Sequence, residues 1–89
     1  MSWTVRVPHS VQRELDELRD SVWREALAAI ADLQEDPFPD GSIPLRGCTD
    51  LYRIKFYRDA YRIVYQVSRK QRRVILTRVR PRGTAYQGL

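Results

Sequence analysis

The sequence predicts an α+β fold in which one antiparallel sheet carries two helices on a single face. Two patterns predict it: apolar residues recur at helical spacing between residues 10 and 35, and they alternate with other residues from residue 51 onward. A strand-like run also precedes the helices. The order of one strand, two helices and three strands is typical of one sheet beneath one helical layer. Because 89 residues suffice for a single core, residues 1–89 are expected to form one domain.

A short first strand and an antiparallel helical hairpin are predicted in the N-terminal part. The strand ends at Pro8, and its apolar residues are Trp3, Val5 and Val7. Ser10 is predicted to cap the first helix and Ser21 the second, with a tight connection between the helices. The apolar stripes contain Val11, Leu15 and Leu18 in the first helix and Val22, Ala26, Ala29, Ile30 and Leu33 in the second. The acidic residues expected largely on the outer side of the hairpin are Glu14, Glu17, Glu25, Asp32 and Glu35.

A loop and three strands are predicted after the helices. The second helix is expected to end near Asp36, because residues 36–41 combine two prolines with turn-forming residues. The strands are predicted at residues 51–57, 60–68 and 73–80, with turns at 58–59 and 69–72. They form an antiparallel meander, and the first strand is expected to join the same sheet after the helical crossover.

Alternate residues of a strand share one face of the sheet, so the strand pattern predicts two faces. The apolar set is predicted to meet the helices and contains Tyr52, Ile54, Phe56, Tyr61, Ile63, Tyr65, Val67, Ile75, Thr77 and Val79. The opposite set is predicted to face solvent and contains Arg53, Lys55, Arg62, Gln66, Arg78 and Arg80.

Charge divides the chain into two unequal halves. Residues 1–45 carry four basic and nine acidic side chains, a balance of −5, and residues 46–89 carry twelve basic and two acidic ones, a balance of +10, which together give the net +5. Much of the positive charge falls on the solvent-facing set of the strands. Since like charges on neighbouring strands repel, this set is either an ordinary solvated face or a site for a large anion. Arginine matches phosphate oxygens in a bidentate geometry, so a nucleic acid is the favoured anion.

The composition also limits the compartment and the chemistry. The single cysteine, Cys48, leaves no intramolecular disulfide, and the first twenty residues contain no apolar run of signal-peptide length. No run is long enough to span a membrane, so a cytoplasmic protein without a membrane partner is expected. His9 is the only histidine, which excludes a paired-histidine ribonuclease mechanism. Asp50 and Asp59 are predicted to be loop and turn residues and not catalytic groups.

Several segments carry a resemblance to a known family. They are residues 45–47 (LRG), 51–55 (LYRIK), 61–67 (YRIVYQV) and 79–82 (VRPR), together with Tyr86. With the helical hairpin, the Asp-Pro loop and the strand order, they make the chain similar to the RelE side of the RelE/ParE toxin superfamily. The resemblance implies a bacterial, cytoplasmic toxin with a cognate antitoxin. RelE-like members cut messenger RNA in the ribosomal decoding site, so the ribosome and mRNA are the other implied partners.

The resemblance also implies roles for individual residues. Lys55 matches the proposed general base, and Arg53 stands where the best-studied pattern has a phosphate-stabilising lysine. Arg62 matches the arginine that stabilises the transition-state phosphate. Either Arg80 or Arg82 matches the arginine thought to protonate the leaving group.

Further contacts with the substrate are predicted outside this central set. Tyr86 matches the C-terminal tyrosine that stacks on or orients the substrate, and packing back on the fold is the alternative. The RNA- or phosphate-binding residues predicted in addition to the catalytic ones are Arg46, Arg53, Arg72, Arg73 and Arg78. For the basic turn between the last two strands, a solvated loop and a contact with ribosomal RNA both remain open.

The implied chemistry needs neither a metal ion nor a small-molecule cofactor. RNA cleavage by its own 2′-hydroxyl requires a base, cations around the phosphate and an acid for the leaving 5′-oxygen. Neighbouring arginines favour loss of the proton of Lys55. Because these proton-transfer groups are weak, cleavage is expected to depend on a host that orients the RNA. Two other functions remain open: a ParE-like inhibitor that binds DNA gyrase without catalysis, and a basic RNA-binding module without activity.

Overall fold

The computed structural model describes residues 2–89. Within that range the chain forms two helices, α1 (His9–Asp16) and α2 (Asp20–Glu35), and five strands, β1 (Thr4–Arg6), β2 (Ile43–Pro44), β3 (Leu51–Phe56), β4 (Tyr61–Ser68) and β5 (Arg73–Pro81). The predicted helices and the four predicted strands are all present, with small shifts at their ends. No helix among the described residues is long and apolar enough to cross a membrane.

The strands form one sheet in the order β1-β5-β4-β3-β2. β1 runs parallel to β5, and the other neighbours are antiparallel. The parallel pairing is possible because the two helices carry the chain from β1 across the sheet before β3 begins. The predicted meander and the inclusion of the first strand in the same sheet are therefore confirmed. β2 was not predicted, because a two-residue edge strand that contains a proline leaves no alternating pattern.

The helices cover one face of the sheet, as predicted, and the core lies between the two layers. Its buried residues are Val11, Leu15, Val22, Ala26 and Leu33 from the helices and Ile54, Phe56, Ile63, Tyr65, Val67, Val74, Leu76 and Val79 from the strands. Burial of each large apolar side chain contributes about 1.5–3 kcal/mol. Tyr65 is the largest fully buried side chain, and its hydroxyl donates a 2.7 Å hydrogen bond to the carbonyl of Pro37. This bond ties the loop after α2 to the sheet.

An irregularity between β4 and β5 changes which residues of β5 face the helices. Residues 64 and 65 of β4 pair with residues 78 and 76 of β5, so Thr77 is an extra residue. A bulge of this kind interrupts the alternation of side chains. The core residues of β5 are Val74 and Leu76 before the bulge and Val79 after it. The prediction that Ile75 and Thr77 face the helices is wrong for this reason.

Both predicted helix caps are also wrong. α1 is preceded by Pro8 and α2 by Arg19, each with extended backbone (ψ 158° and 160°), and neither helix has a side-chain cap hydrogen bond. Ser10 and Ser21 are instead the second residues of their helices. The hydroxyl of Ser21 lies 3.2 Å from the hydroxyl of Tyr57, just beyond β3, and so links α2 to the turn that follows that strand.

Candidate nucleic-acid interface

The face of the sheet opposite the helices carries a row of three cations. Lys55 of β3 pairs with Arg62 of β4, and Arg62 pairs with Arg80 of β5. Since adjacent strands lie about 4.8 Å apart, the three Cα positions span roughly 10 Å. In the next row, Val64 of β4 pairs with Arg53 of β3 on one side and with Arg78 of β5 on the other. The strand register thus confirms that these five cations share one face.

Arg62 lies at the centre of the row and is only 7% exposed. Its Nη1 donates to the carbonyl oxygens of Asp59 (2.7 Å) and Tyr61 (3.2 Å) and lies 2.9 Å from Oδ1 of Asp59. The prediction that Arg62 faces solvent is wrong, because the turn before β4 folds against its guanidinium. Within residues 2–89, its buried Nε has no hydrogen-bond partner. The guanidinium is therefore held in place while its buried Nε–H is unused.

Asp59 places a carboxylate among the cations. Its oxygens lie 2.9 Å from Nη1 of Arg62, 3.4 Å from Nζ of Lys55 and 3.8 Å from Nη1 of Arg82. We call these four residues the Asp59 cluster. Desolvation alone would raise the pKa of Asp59, but the charges of Arg62, Lys55 and Arg82 outweigh it and lower the pKa of this carboxyl from its ordinary value. The carboxylate is therefore ionised at neutral pH.

The backbone of the β3–β4 turn sets the position of Asp59. Residues 57–59 have φ angles of 53°, 54° and 71°, a left-handed run that residues other than glycine rarely adopt. The N–H of Arg82 donates a 3.0 Å hydrogen bond to the carbonyl of Ala60, which brings the chain after β5 beside the turn. Asp59 was correctly predicted to be a turn residue, but its place in the site was missed. One signal was available, since only two acidic residues follow residue 45, and one of them lies between the strand that contains Lys55 and the strand that contains Arg62.

Lys55 lies at the accessible side of the Asp59 cluster, with 44% of its side chain exposed. Its Nζ is 3.4 Å from the carboxylate of Asp59. Lys55 is therefore open to a ligand and lies within ion-pair distance of Asp59.

Arg80 pairs with α1 and not with the Asp59 cluster. Its Nε lies 2.5 Å from Oε2 of Glu14, whose Oε1 accepts a 2.9 Å hydrogen bond from the N–H of Val79. β1 pairs only with residues 73–75 of β5, so Glu14 satisfies a part of the β5 edge that β1 leaves open. Glu14 therefore faces the sheet edge and not the outer side of the hairpin, where it was expected. Of Arg80 and Arg82, only Arg82 lies near Asp59, and 68% of its side chain is exposed.

The C-terminal residues cover the second row of the cationic face. Nη1 of Arg78 donates hydrogen bonds to the carbonyl oxygens of Ala85 (3.3 Å) and Gln87. Ala85 and Val64 are fully buried, although neither belongs to the core beneath the helices. Arg78 thus anchors this C-terminal segment. Tyr86 follows the buried Ala85 and is 41% exposed.

The remaining predicted contact residues lie apart from the Asp59 cluster. Arg46 is exposed in the loop after β2, and Nη1 of Arg53 donates a 3.4 Å hydrogen bond to the carbonyl of Gly41. Arg72 and Arg73 lie at the β4–β5 turn. The cluster is at the other end of β5, about 20 Å away at roughly 3.3 Å per residue. Residues 2–89 contain no group of three or more His, Cys, Asp or Glu side chains that could hold a metal ion.

Solved structures share this fold over almost the whole chain. An archaeal RelE–RelB complex from Pyrococcus horikoshii OT3 matches with 29% identity and a TM-score of 0.80, covering 96% of this chain and 100% of that chain. The isolated RelE toxin of E. coli matches with 25% identity and a TM-score of 0.77, covering 89% and 83%. The RelBE2 toxin–antitoxin complex of Mycobacterium tuberculosis matches with 25% identity and a TM-score of 0.75, covering 92% and 100%. No curated protein matches the chain significantly in sequence.

The fold and the cationic face define a small α+β domain of the RelE/ParE type. The family model of the ParE toxin of type II toxin–antitoxin systems, parDE, matches residues 5–86. The chain belongs to this toxin family. The family and fold expected from the sequence are therefore confirmed.

Proposed function

We propose that this toxin is a ribosome-dependent endoribonuclease that cleaves messenger RNA in the decoding site, by attack of an RNA 2′-hydroxyl on the adjacent phosphate. The observation that carries the proposal is the Asp59 cluster, in which three cations lie 2.9–3.8 Å from one carboxylate. Cations fixed at such distances stabilise the charge that develops on a phosphate in the transition state. Similarity to the solved RelE toxins supports the same reading.

Three members of the cluster divide the chemistry between them. Arg62, which is buried and held by backbone carbonyls, binds the non-bridging phosphate oxygens. Lys55 accepts the proton of the 2′-hydroxyl once the RNA phosphate has replaced the carboxylate beside it. Arg82 stabilises the charge on the leaving 5′-oxygen. We assign this role to Arg82 because Arg80 is held by Glu14 at the edge of the sheet.

Residues outside the cluster contact the RNA and its host in this proposal. The exposed ring of Tyr86 stacks on a base, an interaction worth about 1–3 kcal/mol. Arg53 lies one row from Lys55 and binds a flanking phosphate. Arg72 and Arg73, at the far end of the sheet, contact ribosomal RNA.

Dependence on the ribosome follows from the weakness of the proton-transfer groups. The proposed site contains no histidine, and arginine is a poor acid. Holding the reacting atoms in line contributes about 7 kcal/mol or more to such reactions. A ribosome in the cytoplasm holds the messenger in that way, whereas free RNA does not stay in line. Free RNA is therefore a poor substrate.

A cognate antitoxin is the second proposed partner. The relatives from Pyrococcus horikoshii and Mycobacterium tuberculosis were solved as complexes with RelB-type antitoxins. Residues 46–89 of this chain carry a balance of +10, from twelve basic and two acidic side chains. A partner with an acidic or amphipathic segment is complementary to such a surface.

Toeprinting on a defined messenger with purified ribosomes tests the proposal. We expect new messenger 3′-ends within the decoding site when the purified toxin is present, and none when ribosomes are omitted. A parallel reaction with DNA gyrase and supercoiled DNA examines the ParE-like alternative. Gyrase-dependent DNA breaks without messenger cleavage would overturn the proposal, and efficient cleavage of free RNA would overturn its ribosome requirement.

A further inference from the structure

The Asp59 cluster already contains an anion of its own. Two of its cations, Lys55 and Arg82, have solvent-exposed side chains and yet converge on the carboxylate of Asp59. A carboxylate and the two non-bridging oxygens of a phosphodiester present similar forked acceptors to arginine. Asp59 therefore occupies the same group of donors that a phosphate would require.

We propose that Asp59 is an internal competitor that occupies the phosphate-binding position of this toxin and must be displaced before an RNA phosphate binds. The identity of the displacing ligand as RNA rests on the proposed function. The competition itself rests on the geometry of the four side chains. It concerns any phosphate that reaches Lys55, Arg62 and Arg82.

The structure permits this exchange without unfolding of the turn. Arg62 is held by the backbone carbonyls of Asp59 and Tyr61 as well as by the carboxylate, so its guanidinium stays in place when the carboxylate leaves. The Asp59 side chain is 46% exposed and can rotate toward solvent. The side chains of Lys55 and Arg82 are exposed as well, so they can pair with the Asp59 carboxylate or with a phosphate. Arg62 is thus the fixed part of the site, and the exposed side chains of Asp59, Lys55 and Arg82 are the part that can move.

The consequence of such competition is a weaker apparent affinity for every phosphate ligand. When a site is open for only a fraction of the time, its apparent dissociation constant rises by the inverse of that fraction. Inorganic phosphate and short RNA make few other contacts and cannot offset this loss. A substrate held by many additional contacts displaces Asp59 more readily. At a given concentration Asp59 then keeps weakly bound phosphates off the site, whereas a positioned substrate still occupies it.

Binding of inorganic phosphate and of a trideoxynucleotide, which has no 2′-hydroxyl and so cannot be cleaved by this route, tests the inference without any cleavage step. The variant is Asp59→Asn, because asparagine tolerates a φ of 71°. Asp50→Asn is the matched control, since Asp50 also has a left-handed φ, of 61°, and its loss changes the net charge equally. Affinity is measured by calorimetry, and the Nε–H signal of Arg62 is followed by NMR. Asp59→Gly, which also suits a positive φ, is the second variant without the carboxylate.

Removal of the carboxylate should tighten binding of both probes by at least about 5-fold, the effect of one unit charge near 4 Å in water. The Arg62 signal should respond to the probes in both Asp59 variants, and Asp50→Asn should bind like the wild type. Unchanged affinity in Asp59→Asn and Asp59→Gly, or equal tightening in Asp50→Asn, would overturn the inference. Toeprinting remains a separate readout: absence of messenger cleavage with tighter phosphate binding would refute the proposed function and leave the inference standing.

Discussion

Glu14 and Arg80 are 66 residues apart in the sequence and form an ion pair between α1 and β5. The same carboxylate accepts the backbone N–H of Val79, so one side chain both satisfies a strand edge and fixes the direction of an arginine. The pair removes Arg80 from the group of cations around Asp59. It therefore leaves Arg82 as the arginine near the end of β5 that lies beside Asp59.

Loss of the Glu14 side chain should destabilise the fold. Glu14→Ala leaves the N–H of Val79 without its acceptor, and we expect the free energy of unfolding to fall by about 1–3 kcal/mol. Glu14→Gln keeps an acceptor and should cost less. Urea denaturation measures both variants. Glu17→Ala, at the exposed residue just after α1, is the control and should change stability by no more than about 0.5 kcal/mol. An equal loss in Glu14→Ala and Glu17→Ala would contradict the edge-satisfying role.

Lys55 should be needed for cleavage as a proton acceptor and not only as a charge. Lys55→Ala should lower the single-turnover rate on ribosomes by at least about 10²-fold, the usual effect of losing a general base. Lys55→Arg keeps the positive charge but supplies no base at neutral pH, so it should be impaired to a similar degree. Restoration of the rate by arginine would assign Lys55 to phosphate binding, and a normal rate for Lys55→Ala would remove it from the mechanism.

Arg82 and Arg80 should differ in their effect on cleavage. Arg82→Ala should reduce the single-turnover rate by roughly 10²–10³-fold, as when one electrostatic contact to a transition state is removed. Arg80→Ala should have a clearly smaller effect on the rate and should mainly weaken the fold, because it breaks the ion pair with Glu14. Arg24→Ala, on the exposed face of α2, controls for the loss of one positive charge. A larger rate loss for Arg80→Ala than for Arg82→Ala would reverse the assignment.

Tyr86 should contribute through its ring. Tyr86→Ala should slow cleavage on the ribosome by about 5-fold to 150-fold, which corresponds to 1–3 kcal/mol of stacking. Tyr86→Phe retains the ring and should cost less. Because the side chain is exposed, the unfolding curves of both variants should match that of the wild type. Normal cleavage by Tyr86→Ala would show that the ring does not contact the substrate.

The stability of the protein at high pH should depend on Tyr65. Burial raises the pKa of Tyr65 to about 12, above its ordinary value of 10.0. Between these pH values the unfolded chain loses this proton while the folded chain keeps it, so the stabilising contribution is present below pH 10 and is lost as the pH rises to about 12. Tyr65→Phe should therefore flatten the fall in stability over that range, although loss of the hydrogen bond to Pro37 should lower stability at neutral pH by about 1 kcal/mol. Urea titrations at each pH, with Tyr86→Phe as an exposed control, measure the difference.

Much of the cationic face could be predicted from the sequence because it depends on local rules. The alternation in β3 and β4 fixes which residues share a face, and the short turn between those strands fixes their register. Lys55 and Arg62 therefore had to lie side by side. The same rules failed at Thr77, since an extra residue in one strand leaves no mark in the pattern of apolar and polar residues.

The parts of the site that could not be predicted depend on contacts between distant residues or on unusual backbone. The approach of Glu14 to Arg80 requires the packing of α1 against the β5 edge, which periodicity does not specify. The position of Asp59 requires a left-handed run at residues 57–59. None of these residues is a glycine, so the sequence does not indicate this backbone conformation. The burial of Val64 requires the C-terminal segment to fold over the sheet.

The parallel pairing of β1 with β5 has a consequence for the newly made protein. During synthesis β1 leaves the ribosome before the other four strands of this sheet, and its partner is the last of the five. The edge of β5, its arginines and the layer that covers Val64 are absent from every shorter nascent chain. Such long-range pairings also form slowly, since the intervening chain must first be ordered. A translating ribosome therefore carries an unfinished fold whose apolar surface is open, and the cationic face assembles only after β5 has emerged.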